Sequence, residues 1–229
     1  MTRLALRIFA VSGFVLAACG SAATAPTASP TVAPTATTSA TATTTTAAAF
    51  AWTISSDTKA TVSVREQLAR VNLPSDAVLT AKNASGGFSV NADGTFSADS
   101  KITIDMTTLA SDQRERDNFI KQDTLSVRQF PTATFVPTKA TGLSVPIPNG
   151  DLKFTLAGKM TIHGTTKDVT FDVVGRRDGA KLTVTATANP TWKFGDFGMR
   201  PPASNFNVLS VVDEIRLVVD IVATGPANG

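Results

Sequence analysis

Between Lys101 and Ile221 apolar and polar side chains alternate with a period of two, in run after run. That spacing belongs to strands with one face buried and one face wet. Ile102, Ile104 and Met106 alternate with Lys101, Thr103, Asp105 and Thr107. Phe154, Leu156, Met160 and Ile162 share a face with Gly158 between them. Val169, Phe171 and Val173 repeat the pattern, then Leu182, Val184, Ala186 and Ala188, then Ile215, Leu217, Val219 and Ile221. The breaks carry turn chemistry at Asp93-Gly94, Asn149-Gly150 and Asp178-Gly179, residues that tolerate positive φ. Pro146 and Pro148 make the connection before Asn149 a longer loop. Short connections favour antiparallel neighbours, and no helix–strand alternation argues for a parallel sheet. The expectation is an all-β antiparallel meander of about eight strands, folded as a sandwich or closed into a barrel without edges.

One stretch departs from the alternation. Residues 111–120 are charged and aperiodic, and Asp112 followed by Glu115 has the spacing of a capped helix start. This predicts a short helical excursion over residues 111–127, with a second turn near Asp123 to Val127 and a stop at Pro131. Phe119, Ile120, Leu125 and Phe130 would pin it to the sheet. Gly86-Gly87 and the run from Gly195 to Gly198 read as bends or bulges in strands.

Ahead of Phe50 the composition is different. Arg3 and Arg7 precede an apolar run from Ile8 to Ala18, too short for a membrane span and laid out as a secretory signal. Leu16-Ala17-Ala18-Cys19 resembles a bacterial lipobox, and Cys19 is the sole cysteine of the chain. The expected organisation is a signal peptide over 1–18, a lipidated Cys19 with an Ala/Thr/Pro/Ser tether through 49, a domain over 50–224 and a flexible tail over 225–229. The tether lacks the apolar surface that offsets ordering entropy, and as a coil its ends would lie roughly 30 Å apart. Lipidation at Cys19 would place the domain on the extracytoplasmic side of a bacterial membrane, periplasmic or at the cell surface.

The stock of chemistry is thin. Of the 21 basic and 18 acidic side chains, only Arg3 and Arg7 fall within residues 1–18, so the mature chain is near neutral. No basic stripe interleaved with aromatics supports a nucleic-acid partner. No Ser-nucleophile elbow, phosphate loop or dinucleotide fingerprint occurs. There is no Tyr, and His163 is the one histidine, so neither a metal site nor an enzyme nor a cofactor is expected. Asp112, Glu115 and Asp117 read as solvated partners of nearby arginines. Phe119, Phe130, Phe135, Phe154, Ile162, Phe171, Phe194 and Phe197 are candidates to line a cavity, each with plain core packing as the alternative. His163 is read as a structural residue, with a head-group contact as its functional alternative.

Two segments carry a resemblance. One runs from Arg116-Asp117-Asn118-Phe119 to Gln129-Phe130-Pro131-Thr132-Ala133-Thr134-Phe135, the other from Leu156 through Gly158-Lys159-Met160-Thr161-Ile162-His163-Gly164 to Lys167-Asp168-Val169-Thr170-Phe171. Together they resemble the YceI-like family, described as polyisoprenoid-binding proteins with a lipocalin-like fold. Trp52-Thr53-Ile54 fits the opening strand and Phe197-Gly198 a later segment, so the likeness covers about Trp52 to Val222. The resemblance implies an extended antiparallel barrel whose interior takes up a long apolar ligand such as a polyisoprenoid or isoprenoid quinone. The partners expected are that lipid and, through Cys19, the membrane, with a homodimer as a further candidate assembly. The competing expectation is an envelope interaction module whose barrel is filled by its own side chains.

Overall fold

A computed structural model describes residues 51–70, 72–202 and 208–227. The signal peptide, Cys19 and the tether, together with the last two residues of the tail, lie outside the described residues. Nine strands follow in chain order: β1 Trp52–Ile54, β2 Lys59–Leu68, β3 Ser75–Phe88, β4 Lys101–Ala110, β5 Thr132–Thr141, β6 Gly150–Ile162, β7 Thr165–Asp178, β8 Lys181–Ala188 and β9 Val208–Thr224. Each pairs antiparallel with its sequence neighbour from β2 to β9, and β9 returns to pair with β2. The meander therefore closes on itself, and closure leaves no free edge.

The eight expected strands become nine because one position of the ring is shared. β1 pairs with the ends of β3 and β9, through Thr53↔Gly87 and Ile54↔Ala223, while β2 occupies the same gap further along. Thr58 makes the break possible. Its fully buried hydroxyl accepts from Val222 N–H at 2.9 Å and donates to Val222 O at 3.2 Å, standing in for backbone bonds where the strand is interrupted.

The alternation seen in the sequence is the in–out pattern of the barrel wall. Leu182, Val184, Ala186 and Ala188 are all buried, as are Ile215, Leu217, Val219 and Ile221. The β6–β7 hairpin pairs without interruption from Gly150↔Arg177 to Ile162↔Thr165. His163 (φ 51°) and Gly164 (φ 73°) close it, the double positive φ of the two-residue turn that matches strand twist.

One end of the barrel, here the upper end, carries Leu68 and Ser75 where β2 and β3 meet it, the β4–β5 excursion, the His163-Gly164 turn and residues 189–202 after β8. Trp52, the β7–β8 turn and residues 225–227 stand at the lower end.

Three sequence expectations need correction. The helix α1 spans Arg114–Phe119 and continues as a π-helical turn, Ile120–Thr124. Its N-cap is Gln113, with no side-chain cap bond, so Asp112 and Glu115 do not form a capping box. Asp117 is not solvated: it is buried, and its Oδ1 accepts from the Ser111 backbone N–H at 2.8 Å and the Ser111 hydroxyl at 2.6 Å. Gly195 belongs to a 3-10 turn, Phe194–Phe197, capped by Gly198 in the left-handed region, and not to a strand. Asp213 Oδ1 accepts from Phe194 N–H at 2.9 Å and holds that turn against β9.

Candidate functional site

The inward side chains of the upper half surround a cavity of about 1190 Å³ of non-atom space, its open mouth included. Its wall follows the strand period. Ala60, Val62 and Val64 come from β2, Ile102, Ile104 and Met106 from β4, and Ile215, Leu217, Val219 and Ile221 from β9. Leu79, Ala81, Ala133, Leu156, Met160 and Ala186 also line the cavity, and Thr134 on β5 and Thr124 are its two polar residues. The upper end is roofed by Ile120, Thr124 and Leu125 of the β4–β5 excursion, and by Trp192, Phe194, Phe197 and Met199 of the β8–β9 connection. None of these side chains is ionisable. A second, smaller cavity lies in the lower half and is lined by apolar side chains alone, Phe88, Phe96 and Phe154 among them. Ile102, Phe135, Leu156 and Ile221 line both cavities, so they form the waist between them.

The space exists because small residues stand where large ones would fill it. Ala60, Ala81, Ala133 and Ala186 face inward at positions where leucine would fit the strand pattern equally well. Gly158 does not line either cavity. A Cβ there would fall 2.4 Å from Phe135 Cζ, so the glycine seats the Phe135 ring across the wall. Phe135 meets Phe171 edge-on at 5.4 Å, Phe171 meets Trp192 at 5.8 Å, and Trp192 meets Phe197 at 5.1 Å. This aromatic chain runs from the waist to the roof; its first two contacts have the edge-to-face arrangement that ring quadrupoles favour, and the third is tilted.

The sequence candidates divide accordingly. Phe135, Ile162, Phe171, Phe194 and Phe197 line the upper cavity, and Phe154 the lower one. Phe119, Phe130 and His163 line neither. Phe130 stacks edge-on against His163 at 4.9 Å and also covers Gly164, where a Cβ would fall 2.6 Å from its ring. That contact clamps the end of the excursion to the β6–β7 hairpin, outside the cavity.

Two polar features tie distant parts of the chain together. Arg116 donates from Nη2 to Glu66 Oε1 at 2.7 Å and from Nη1 to Asp112 Oδ1 at 2.9 Å. Glu66 on β2 is 6% exposed at its side chain and Arg116 15%, so the pair ties α1 to the wall across a nearly dry interface. Arg177 closes the lower end. It is 2% exposed and donates to Gly179 O at 2.9 Å, Pro226 O at 2.8 Å and Ile147 O, with its guanidinium 5.2 Å from the Trp52 ring centroid. Carbonyls and a π-face satisfy the buried cation without a carboxylate. Their spacing in sequence, from Trp52 to Pro226, explains why no local motif announces them. Among the described residues no cluster of three or more His, Cys, Asp or Glu side chains is placed to hold a metal ion.

A closed antiparallel barrel with an apolar interior defines the class: a β-barrel of the lipocalin-like kind with an internal cavity. The chain belongs to the YceI-like domain family, whose model matches residues 52–223. A UPF0312 protein of Pseudomonas putida is 33% identical over 138 residues, covering 52% of this chain and 66% of that protein. Another, from Pseudomonas fluorescens, is 37% identical over 131 residues, covering 48% and 61%. The chain thus spans less than two thirds of the length of these relatives. Among solved structures, BcnA of Burkholderia cenocepacia superposes with a TM-score of 0.54 at 22% identity, over 73% of this chain and 96% of that one. A polyisoprenoid-binding domain of Saccharophagus degradans superposes at 0.57 and 13% identity, over 78% and 100%. These likenesses establish the shared barrel fold.

Proposed function

We propose that this protein is an extracytoplasmic lipoprotein that holds a long apolar ligand, a polyisoprenoid, an isoprenoid quinone or a similar amphiphile, in its barrel. The carrying observation is the pair of cavities meeting at the Phe135 waist with no ionisable group in their walls. Each methylene that leaves water for such a wall gains about 0.8 kcal/mol. A chain of many methylenes therefore has ample gross binding energy after association costs. The competing reading, a barrel filled by its own side chains, fits poorly with inward alanines that leave room unfilled. Anchorage through Cys19 keeps the carrier beside the membrane where such ligands reside, and this part of the proposal rests on the sequence of residues 1–49 alone. Holding and presenting a ligand requires no bond to be made or broken, so the reading assigns no catalytic step.

Native mass spectrometry of residues 20–229, purified from bacteria without detergent, tests it. The expected result is an adduct of several hundred daltons that extracts into organic solvent. A bare mass that stays bare after incubation with polyprenols and quinones removes the carrier reading.

A further inference from the structure

We infer that the hydroxyl of Thr124 is the head-group contact of the cavity, and that the ligand it selects is an uncharged amphiphile with a hydrogen-bond-accepting oxygen beside its chain. This rests on the carrier reading and adds the ligand's chemical class. Thr124 ends the π-helical turn that roofs the upper cavity, and its lining neighbours Ile120 and Leu125 are apolar. It is 6% exposed, yet its hydroxyl makes no hydrogen bond with any described residue. A side-chain polar atom that is wholly enclosed and unpartnered does not occur among the described residues, so the hydroxyl must reach open space, and the space Thr124 borders is the cavity. A donor held in an apolar wall costs stability until an acceptor satisfies it. The oxygen of an alcohol, ketone, quinone or ether can do so.

The charge of the head group follows from the same wall. The largely enclosed cation of the excursion, Arg116, is already taken by Glu66 and Asp112, and Arg177 lies at the far end under Trp52. An ionised phosphate held within these walls would meet no ionisable lining side chain and would lose its hydration. The cavity therefore discriminates against it.

Three C20 probes distinguish these claims: geranylgeraniol, geranylgeranyl diphosphate and the saturated hydrocarbon phytane, each offered to residues 20–229 with Trp emission as the readout. The wild type should hold geranylgeraniol more tightly than either of the others. Thr124→Val removes the hydroxyl at nearly constant shape. It should weaken geranylgeraniol by about 3- to 10-fold and leave phytane unchanged, because one hydrogen bond of ordinary strength is lost. Thr124→Ser should keep the wild-type preference, which separates a head-group role from a packing role. Equal losses for geranylgeraniol and phytane, no loss for either, or tighter binding of the diphosphate would each overturn the assignment while leaving the carrier intact. Capture of none of the three by the wild type would overturn the carrier reading and this contact with it.

Discussion

Ala186→Trp plugs the barrel at its waist. Ala186 is 3% exposed and lines the upper cavity, and its strand partners divide between the two spaces. Val219 of β9 lines the upper cavity, and Val173 of β7 lines the lower. The substitution adds about nine non-hydrogen atoms to the passage. If they displace as many chain carbons, the ligand forfeits up to about 7 kcal/mol at ~0.8 kcal/mol per methylene. A ligand that retracts into the upper cavity recovers part of this, and losing only half of it still lowers affinity by more than 100-fold. Stability supplies the second half of the test. In a barrel filled by its own side chains, the extra ring would strain the core by about 1–3 kcal/mol. In an open one the ring falls into existing space. The expected pair of results is a melting temperature at or above that of the wild type, with ligand retention lost in native mass spectrometry. Undiminished binding, or a variant that melts several degrees lower, refutes the account of the waist as an open passage.

Further perturbations bear on the frame that holds the cavity. Arg116→Ala leaves Glu66 buried without its partner and should cost about 3 kcal/mol in urea unfolding, more than the Glu66→Gln, Arg116→Gln double variant; equal costs would mean that the pair is not coupled. Gly158→Ala forces its methyl group into the Phe135 ring and the Val136 carbonyl, and should lower stability by about 1–3 kcal/mol, with an unchanged urea midpoint counting against the close approach. A hydrogen bond from Arg216 at 2.8 Å, with Arg65 behind it at 3.4 Å, holds the Asp76 carboxyl below the usual carboxylate range. A carboxylate lowered in the folded state stabilises the protein above its unfolded value, near ~3.9, and that contribution is lost as pH falls through the lower folded value. Asp76→Asn should therefore flatten the fall of the urea midpoint below about pH 4, and an acid limb identical to that of the wild type would contradict the assignment.

Strands were legible because burial on one face writes itself into every second residue. The runs around Ile102, Leu156, Phe171, Val184 and Leu217 all point into the barrel. Closure was not legible from periodicity, since a sandwich would alternate in the same way; the motifs around Phe130 and His163 carried the barrel expectation. The split between β1 and β2 depends on one hydroxyl, that of Thr58, bonding to a strand 164 residues away. The charged excursion was visible as a break in the pattern. The partner of its Arg116 was not, because Glu66, at a buried position of β2, lies 50 residues away and meets it only through the fold.

The cavity was half visible for a reason that reaches beyond these residues. A search for an apolar binding site looks for large side chains, and it found Phe135, Phe171, Phe194 and Phe197 where they stand in the wall. It also gathered Phe119 and Phe130, which serve the excursion, and His163, whose place is fixed by a turn that needs positive φ. Large side chains consume space; small ones leave it. The alanines at 60, 81, 133 and 186 define the void as much as the rings do, yet alanine in a strand reads as a weak core residue. Thr124 is the converse case. A threonine in a charged segment reads as solvated, and only the roof formed by Ile120, Leu125 and the β8–β9 turn turns its hydroxyl into a polar atom beside an apolar space. Fold follows from what each strand buries, whereas ligand choice follows from what the closed barrel leaves unfilled and unpaired. Those two properties belong to no single segment of the chain.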